Sequence, residues 1–265
     1  MIRALTVLFL ILMAPATLAK VFNHGLWDQL LRQHVVSLHD GQATQVDYQG
    51  MNNDRAQLKA YLNQLTSISR QEFSQWSQQE QLAYLINLYN AWTIEFVLTS
   101  YPDIESIREL GGLFQSAWEI EIISLFGEPH SLNDIEHGLI RASGRFNDPR
   151  IHFAVNCASI GCPALRSEAY TGIQLEKQLE EQTEKFLSDR SRNRLKENTL
   201  EVSSIFKWYR EDFEKGWHGV NSLTDFFAVY QNALGLTVSD VQRLHAGVIN
   251  IEFLDYDWRL NARQK

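Results

Sequence analysis

From Ser77 to Ser100 the chain reads Ser-Gln-Gln-Glu-Gln-Leu-Ala-Tyr-Leu-Ile-Asn-Leu-Tyr-Asn-Ala-Trp-Thr-Ile-Glu-Phe-Val-Leu-Thr-Ser. Laid on a helix, this segment is apolar on most sides, and a helix of that kind has to be buried. Whatever the rest of the chain does, it must supply a shell for this rod. Ser77 can cap it, with Glu80 three residues on completing a capping box, and Tyr101-Pro102 ends it. Asn87 and Asn90 lie three apart on one face. Buried amides need partners, so the pair can orient a neighbouring loop, for example the one after Cys157, or bind a ligand.

Helical spacing recurs over Phe22 to Leu38 and Asp54 to Leu65. Further helices are expected over Leu175 to Leu187, Ser204 to Glu214, Leu223 to Ala233 and Ser239 to Leu244. Strands are expected at Trp118 to Ile123, Arg150 to Asn156, Thr199 to Ser203 and Ile249 to Tyr256. Helices outnumber interspersed strands, which gives an α+β class: a helix-rich single domain with a small mixed or antiparallel sheet around a buried central helix. The N-terminus reads as a secretory signal over residues 1–19, with Arg3, an apolar run from Ala4 to Met13, and a cut after Ala19 or, second, after Ala16. Residues 20–265 are then the domain, with 20–70 a helical extension and 77–261 the core. No later stretch is apolar enough to span a membrane, so stable insertion after signal cleavage is not expected. The formal charge of −8 gives no general attraction to nucleic acid. The expected product is exported, to a periplasm or beyond the cell.

Asp148 to Pro163, Asp-Pro-Arg-Ile-His-Phe-Ala-Val-Asn-Cys-Ala-Ser-Ile-Gly-Cys-Pro, holds both cysteines. As a regular strand it would place His152 and Cys157 on opposite sides, unless a bulge at Asn156 turned the chain. Cys162-Pro163 reads as a helix N-cap followed by proline at the first helical position, a setting that lowers a thiol pKa. Export favours a Cys157–Cys162 disulfide instead. Closing so short a loop would stabilise the fold by roughly 2 kcal/mol. The segment Leu132 to Arg141, capped by Ser131 with Asp134, is expected to be a helix with Ile135 and Leu139 buried. It carries Glu136, His137 and Arg141, and a histidine beside a carboxylate can act as a base toward a thiol. No metal-ligand spacing is present and no cofactor is implied: there is no phosphate-binding glycine loop and no Gly-x-Ser-x-Gly elbow.

Several segments carry a resemblance. Asn87-Leu-Tyr-Asn90-Ala91, Ser131-Leu-Asn-Asp-Ile-Glu-His137, Asp148 to Cys157, Cys162-Pro163, Ile205-Phe-Lys-Trp-Tyr-Arg-Glu-Asp-Phe213 and Tyr256-Asp-Trp-Arg-Leu-Asn261 together resemble the domain-of-unknown-function 547 family, in the expected order from about Ser77 to Asn261. The resemblance implies no particular reaction. Some plant members join the domain to a coiled coil, and some animal members join it to a glutaredoxin domain, contexts that imply interaction and thiol biology. Plant members can carry serine where Cys162 stands, which makes Cys157 the better candidate for a shared thiol role.

Two readings follow. One is a non-catalytic module with a Cys157–Cys162 bridge that binds an envelope protein or peptide, with Asn87, Asn90, Arg141, His152 and Asn156 as binding candidates. The other is a thiol-dependent hydrolase or acyltransferase acting on a peptide or amide. There Cys157 is the nucleophile, His137 the base, Glu136 the orienting carboxylate, and the N–H groups of Ala158 to Gly161 the oxyanion donors.

Overall fold

The computed structural model describes residues 21–112 and 114–263; the signal sequence expected over 1–19 lies outside them. In chain order the elements begin with α1 (Gly25–His34), the hairpin β1 (Val35–Leu38) and β2 (Ala43–Val46), α2 (Tyr48–Asn53), α3 (Arg55–Thr66) and α4 (Arg70–Ser74). They continue through α5 (Gln78–Leu98), the hairpin β3 (Ile123–Leu125) and β4 (Glu128–His130), and α6 (Leu175–Ser188). The remainder comprises β5 (Arg194–Lys196), β6 (Thr199–Ser203), α7 (Ile205–Trp208), α8 (Arg210–Phe213), α9 (Leu223–Val229), α10 (Gln231–Leu234), α11 (Val238–His245) and β7 (Asn250–Leu254). The fold is α+β, rich in helix with small sheets. No helix among the described residues is long and apolar enough to cross a membrane.

α5 is the buried rod that its composition demands: every residue from Glu80 to Ala91 and from Thr93 to Leu98 is buried. The Ser77 hydroxyl accepts from Glu80 N–H at 3.1 Å, but the Glu80 carboxylate turns outward to accept from Gly172 N–H, so only half of the capping box forms. Trp27, Leu30 and Leu31 of α1 and Leu58, Tyr61 and Leu65 of α3 share one apolar cluster with α5. The N-terminal helices are therefore part of the wall around it. α1 stops at His34, where the chain turns into β1.

A second apolar cluster gathers Phe153, Phe186, Phe206, Phe213, Phe226 and Phe227 against Leu200 and Val202 of β6. The three-stranded sheet belongs here. β6 pairs antiparallel with β5 and parallel with β7, in the register Leu200 opposite Ile251. Its mixed topology fits the expectation, but this sheet sits on its own core; the two hairpins are the ones that join the α5 cluster, β1–β2 through Val35 and Val46 and β3–β4 through Ile123 and Leu125.

Several local expectations are corrected. Pro149–Phe153 is a 3₁₀ turn rather than a strand. Asp148 accepts from Arg150 N–H at 3.0 Å and Pro149 occupies the first turn, which is helix-start chemistry. Cys162-Pro163 opens no helix, so no dipole acts on that sulfur; the chain stays irregular to Thr171. The segment 117–119 is a 3₁₀ turn under a Ser116–Glu119 capping box, and pairing begins only at Ile123. The expected helices over 204–214 and 223–233 are each broken once, at Tyr209 and Tyr230.

Candidate functional site

Asp134–Arg141 is a π-helix, capped as expected by Ser131 with Asp134: the Ser131 hydroxyl donates to the Asp134 carboxylate at 2.7 Å and accepts from the Asp134 backbone N–H at 3.1 Å. Its wider turn changes which side chains stack. Ile140, five residues from Ile135, is buried with it, and Leu139 is only half-buried. The same winding turns Glu136 inward, and π-turns of this kind recur at functional sites.

Glu136 and His137 line a cavity of about 190 Å³ together with His152, Cys157, Cys162, Tyr89, Tyr209, Tyr256, Trp118, Trp208 and Trp258. The structure thus brings Cys157, Cys162, His137, Glu136 and His152 to one hollow. Asn87, Asn90, Asn156 and Arg141 do not line it. Asn87 exchanges two hydrogen bonds with the backbone of Tyr170. Asn90 donates to Ala154 C=O at 3.0 Å and accepts from Asn156 N–H at 2.8 Å, fixing the chain just before Cys157. Asn156 then spans the loop, donating to Pro163 C=O and accepting from Ala158 N–H.

The two sulfurs are joined as a disulfide, with Cα atoms 6.1 Å apart. Tyr256 Oη lies 3.2 Å from each sulfur, and Ser159 Oγ lies 3.2 Å from both Cys157 Sγ and Tyr256 Oη. Gly161 permits this approach, since a Cβ there would stand 2.9 Å from the Tyr256 ring. Of the N–H groups expected to hold an oxyanion, those of Ala158, Ile160 and Gly161 already donate to Asn156 Oδ1, Arg259 C=O and Asp257 C=O.

On the opposite wall, His152 stacks on Tyr209 with ring centroids 3.9 Å apart, and its Nε2 lies 2.8 Å from Asp212 Oδ2. Burial pushes the His152 pKa down despite that carboxylate. Burial opposes ionisation of Asp212 as well, but bonds from His152, Arg141 and Lys215 outweigh it and hold its carboxyl far below the usual range. The pair is therefore a neutral imidazole donating Nε2–H to a carboxylate, which leaves Nδ1 a bare acceptor. That Nδ1 is buried and has no partner. Arg141 is also bonded to His137 Nδ1. A guanidinium only donates, so His137 carries its proton on Nε2. Glu136 is buried and accepts from the hydroxyls of Tyr89 and Tyr209; burial first, then this carboxylate, raises both phenol pKa values. Its Oε1 has no partner. Trp208, Tyr256 and Trp258 form the rim, with Trp208 stacked on Trp258 at 5.7 Å and Tyr256 4.5 Å from Trp258.

Sequence reasoning missed Asp212, Tyr209, Tyr256, Trp208 and Trp258 as site residues. The signal was present, because all five fall in the two C-terminal segments that carry the family resemblance. Among the described residues no cluster of three metal-ligating side chains occurs.

Fold and site together define a helix-rich α+β protein with an aromatic-walled hollow above a disulfide. Residues 73–187 match the family described as "Protein of unknown function, DUF547". The chain is a DUF547 domain-containing protein. The match ends before α7, α8 and the segment 256–261, which lie beyond it. Neither a curated protein nor a solved structure matches the chain.

Proposed function

We propose that this protein is a non-catalytic binding module, exported to a periplasm or beyond the cell, whose cavity takes part of an envelope protein or peptide. One observation carries the reading: both sulfurs in the hollow are tied to each other, while the tryptophan rim stands open, with Trp208 47% exposed. Exposed aromatics beside buried, unsatisfied acceptors suit recognition. A disulfide suits an oxidising compartment, as does the N-terminal apolar run.

The alternative is the thiol-dependent hydrolase or acyltransferase. It is favoured by the convergence of Cys157, His137 and Glu136 on one cavity. Against it stand the bonded sulfurs, the committed N–H groups of the cysteine loop, and the Arg141 bond on His137 Nδ1. Thiol labelling of the purified protein separates the two. The binding reading expects no reactive thiol in the native, non-reduced protein and two after reduction and unfolding. One fast-reacting native thiol, silenced in His137→Ala, would replace it with the enzymatic reading.

A further inference from the structure

Resting on the binding reading above, we propose that the cavity recognises a primary ammonium on an unbranched apolar stem, of the kind a lysine side chain presents. Two residues of the lining each carry a buried acceptor, Glu136 Oε1 and His152 Nδ1, and neither has a donor. Both residues line the cavity and are at least nine-tenths buried. Unpaired acceptors at such depth are costly, and a ligand bearing several N–H donors answers both. Charge narrows the choice. Two cations beside this wall, Arg141 and Lys215, are paired with Asp212, which lies outside the cavity lining; Arg141 also meets His137 Nδ1 and the Tyr209 ring, but neither it nor Lys215 forms an ion pair with Glu136. The Glu136 carboxylate is met by tyrosine hydroxyls, which supply hydrogen bonds and no positive charge. A cation entering from solvent would neutralise it.

The walls fit the same guest. Trp118, Trp208, Trp258, Tyr209 and Tyr256 present ring surface along the approach, and aromatic faces attract ammonium groups while packing on methylenes. Trp258 already holds one cation in this way, with the Arg108 guanidinium 5.3 Å from its ring centroid. An anion would meet the Glu136 carboxylate, and a neutral alkyl chain would leave both acceptors bare.

The test is titration of the oxidised full chain, followed by tryptophan emission, with N-acetyl-lysine methylamide. Its norleucine analogue lacks only the amine, the glutamate analogue carries the opposite charge, and alaninamide offers a free α-ammonium in place of a side-chain one. The expected result is saturable quenching by the lysine probe, at least tenfold tighter than by norleucine, with alaninamide and the glutamate probe weaker still. Glu136→Gln should remove that tenfold preference, with an unchanged circular dichroism spectrum and Tm showing that the fold persists. Equal affinity for the lysine and norleucine probes, or a preference for the glutamate probe, overturns the ammonium assignment and leaves a binding cavity. Preference for alaninamide moves the source from side chain to chain terminus and overturns the unbranched stem. No saturable response to any probe overturns the binding reading itself.

Discussion

Replacing Asn90 with alanine should loosen the cysteine loop from beneath. The amide makes two bonds from inside α5, to Ala154 C=O at 3.0 Å and from Asn156 N–H at 2.8 Å. Asn90, Ala154 and Asn156 are all buried, so water cannot replace the lost partner without opening the structure. A buried backbone group left unpaired costs about 1–3 kcal/mol, so two give a loss of about 2–6 kcal/mol. For a domain of this size each kcal/mol lowers Tm by roughly 2–4 °C, and Tm should fall by about 10 °C. Urea unfolding followed by circular dichroism measures the loss. Amide exchange locates it: the Asn156 N–H should lose protection while the Tyr170 N–H, held by Asn87, keeps it. Asn87→Ala should give a comparable loss with the two amides reversed. If Asn90→Ala stays within about 0.5 kcal/mol of the parent and the Asn156 amide remains protected, the assignment of Asn90 as the support of this loop is wrong.

Gly161→Ala would set a methyl 2.9 Å from the Tyr256 ring; overpacking of that kind costs about 1–3 kcal/mol and should shift tryptophan emission as Tyr256 leaves Trp208 and Trp258, whereas unchanged stability and emission would refute the close fit. Stability should also fall with acid. Burial lowers the His24 pKa to about 3 in the fold, its Nδ1 lying 2.6 Å from Tyr61 Oη, and the unfolded chain takes up the proton below about 6.5. The contribution is therefore whole above pH 6.5 and lost as pH falls toward 3, amounting to roughly 2 kcal/mol at pH 5; His152 acts with the same sign. Denaturant curves at pH 8 and pH 5 should converge by about that amount in His24→Gln, and parallel pH dependence in the two proteins would refute the assignment.

The sequence announces α5 clearly, because a capping serine precedes a run too apolar to face water. β6 and β7 are legible for a related reason: β-branched and aromatic residues bounded by turn chemistry leave few alternatives. The stretch 149–153 is harder. Its residues are all buried, and a short apolar run without periodicity suits a strand or a helical turn equally. Only Asp148-Pro149 points to the turn, and that local signal has to be set above the β-rich composition. Nothing in Asp134–Arg141 marks a π-turn, since it depends on packing from the other elements, and with it goes the orientation of Glu136. The cysteines, His137, His152 and Glu136 could be named from residue type. Their partners Asp212 and Tyr256 could not be paired with them, since those contacts close across sixty to a hundred intervening positions.

That long reach sets how the domain can be divided. A fragment trimmed to 73–187 would retain both cysteines, both cavity histidines and Glu136, yet it would lack the carboxylate that orients His152 and the rings that roof the sulfurs. Such a piece would be chemically bare rather than minimal, with its disulfide open to any passing reductant. Expression boundaries chosen for this protein should therefore run through Asn261, whose side chain accepts from the Tyr48 hydroxyl and so fastens the roof to the N-terminal helices.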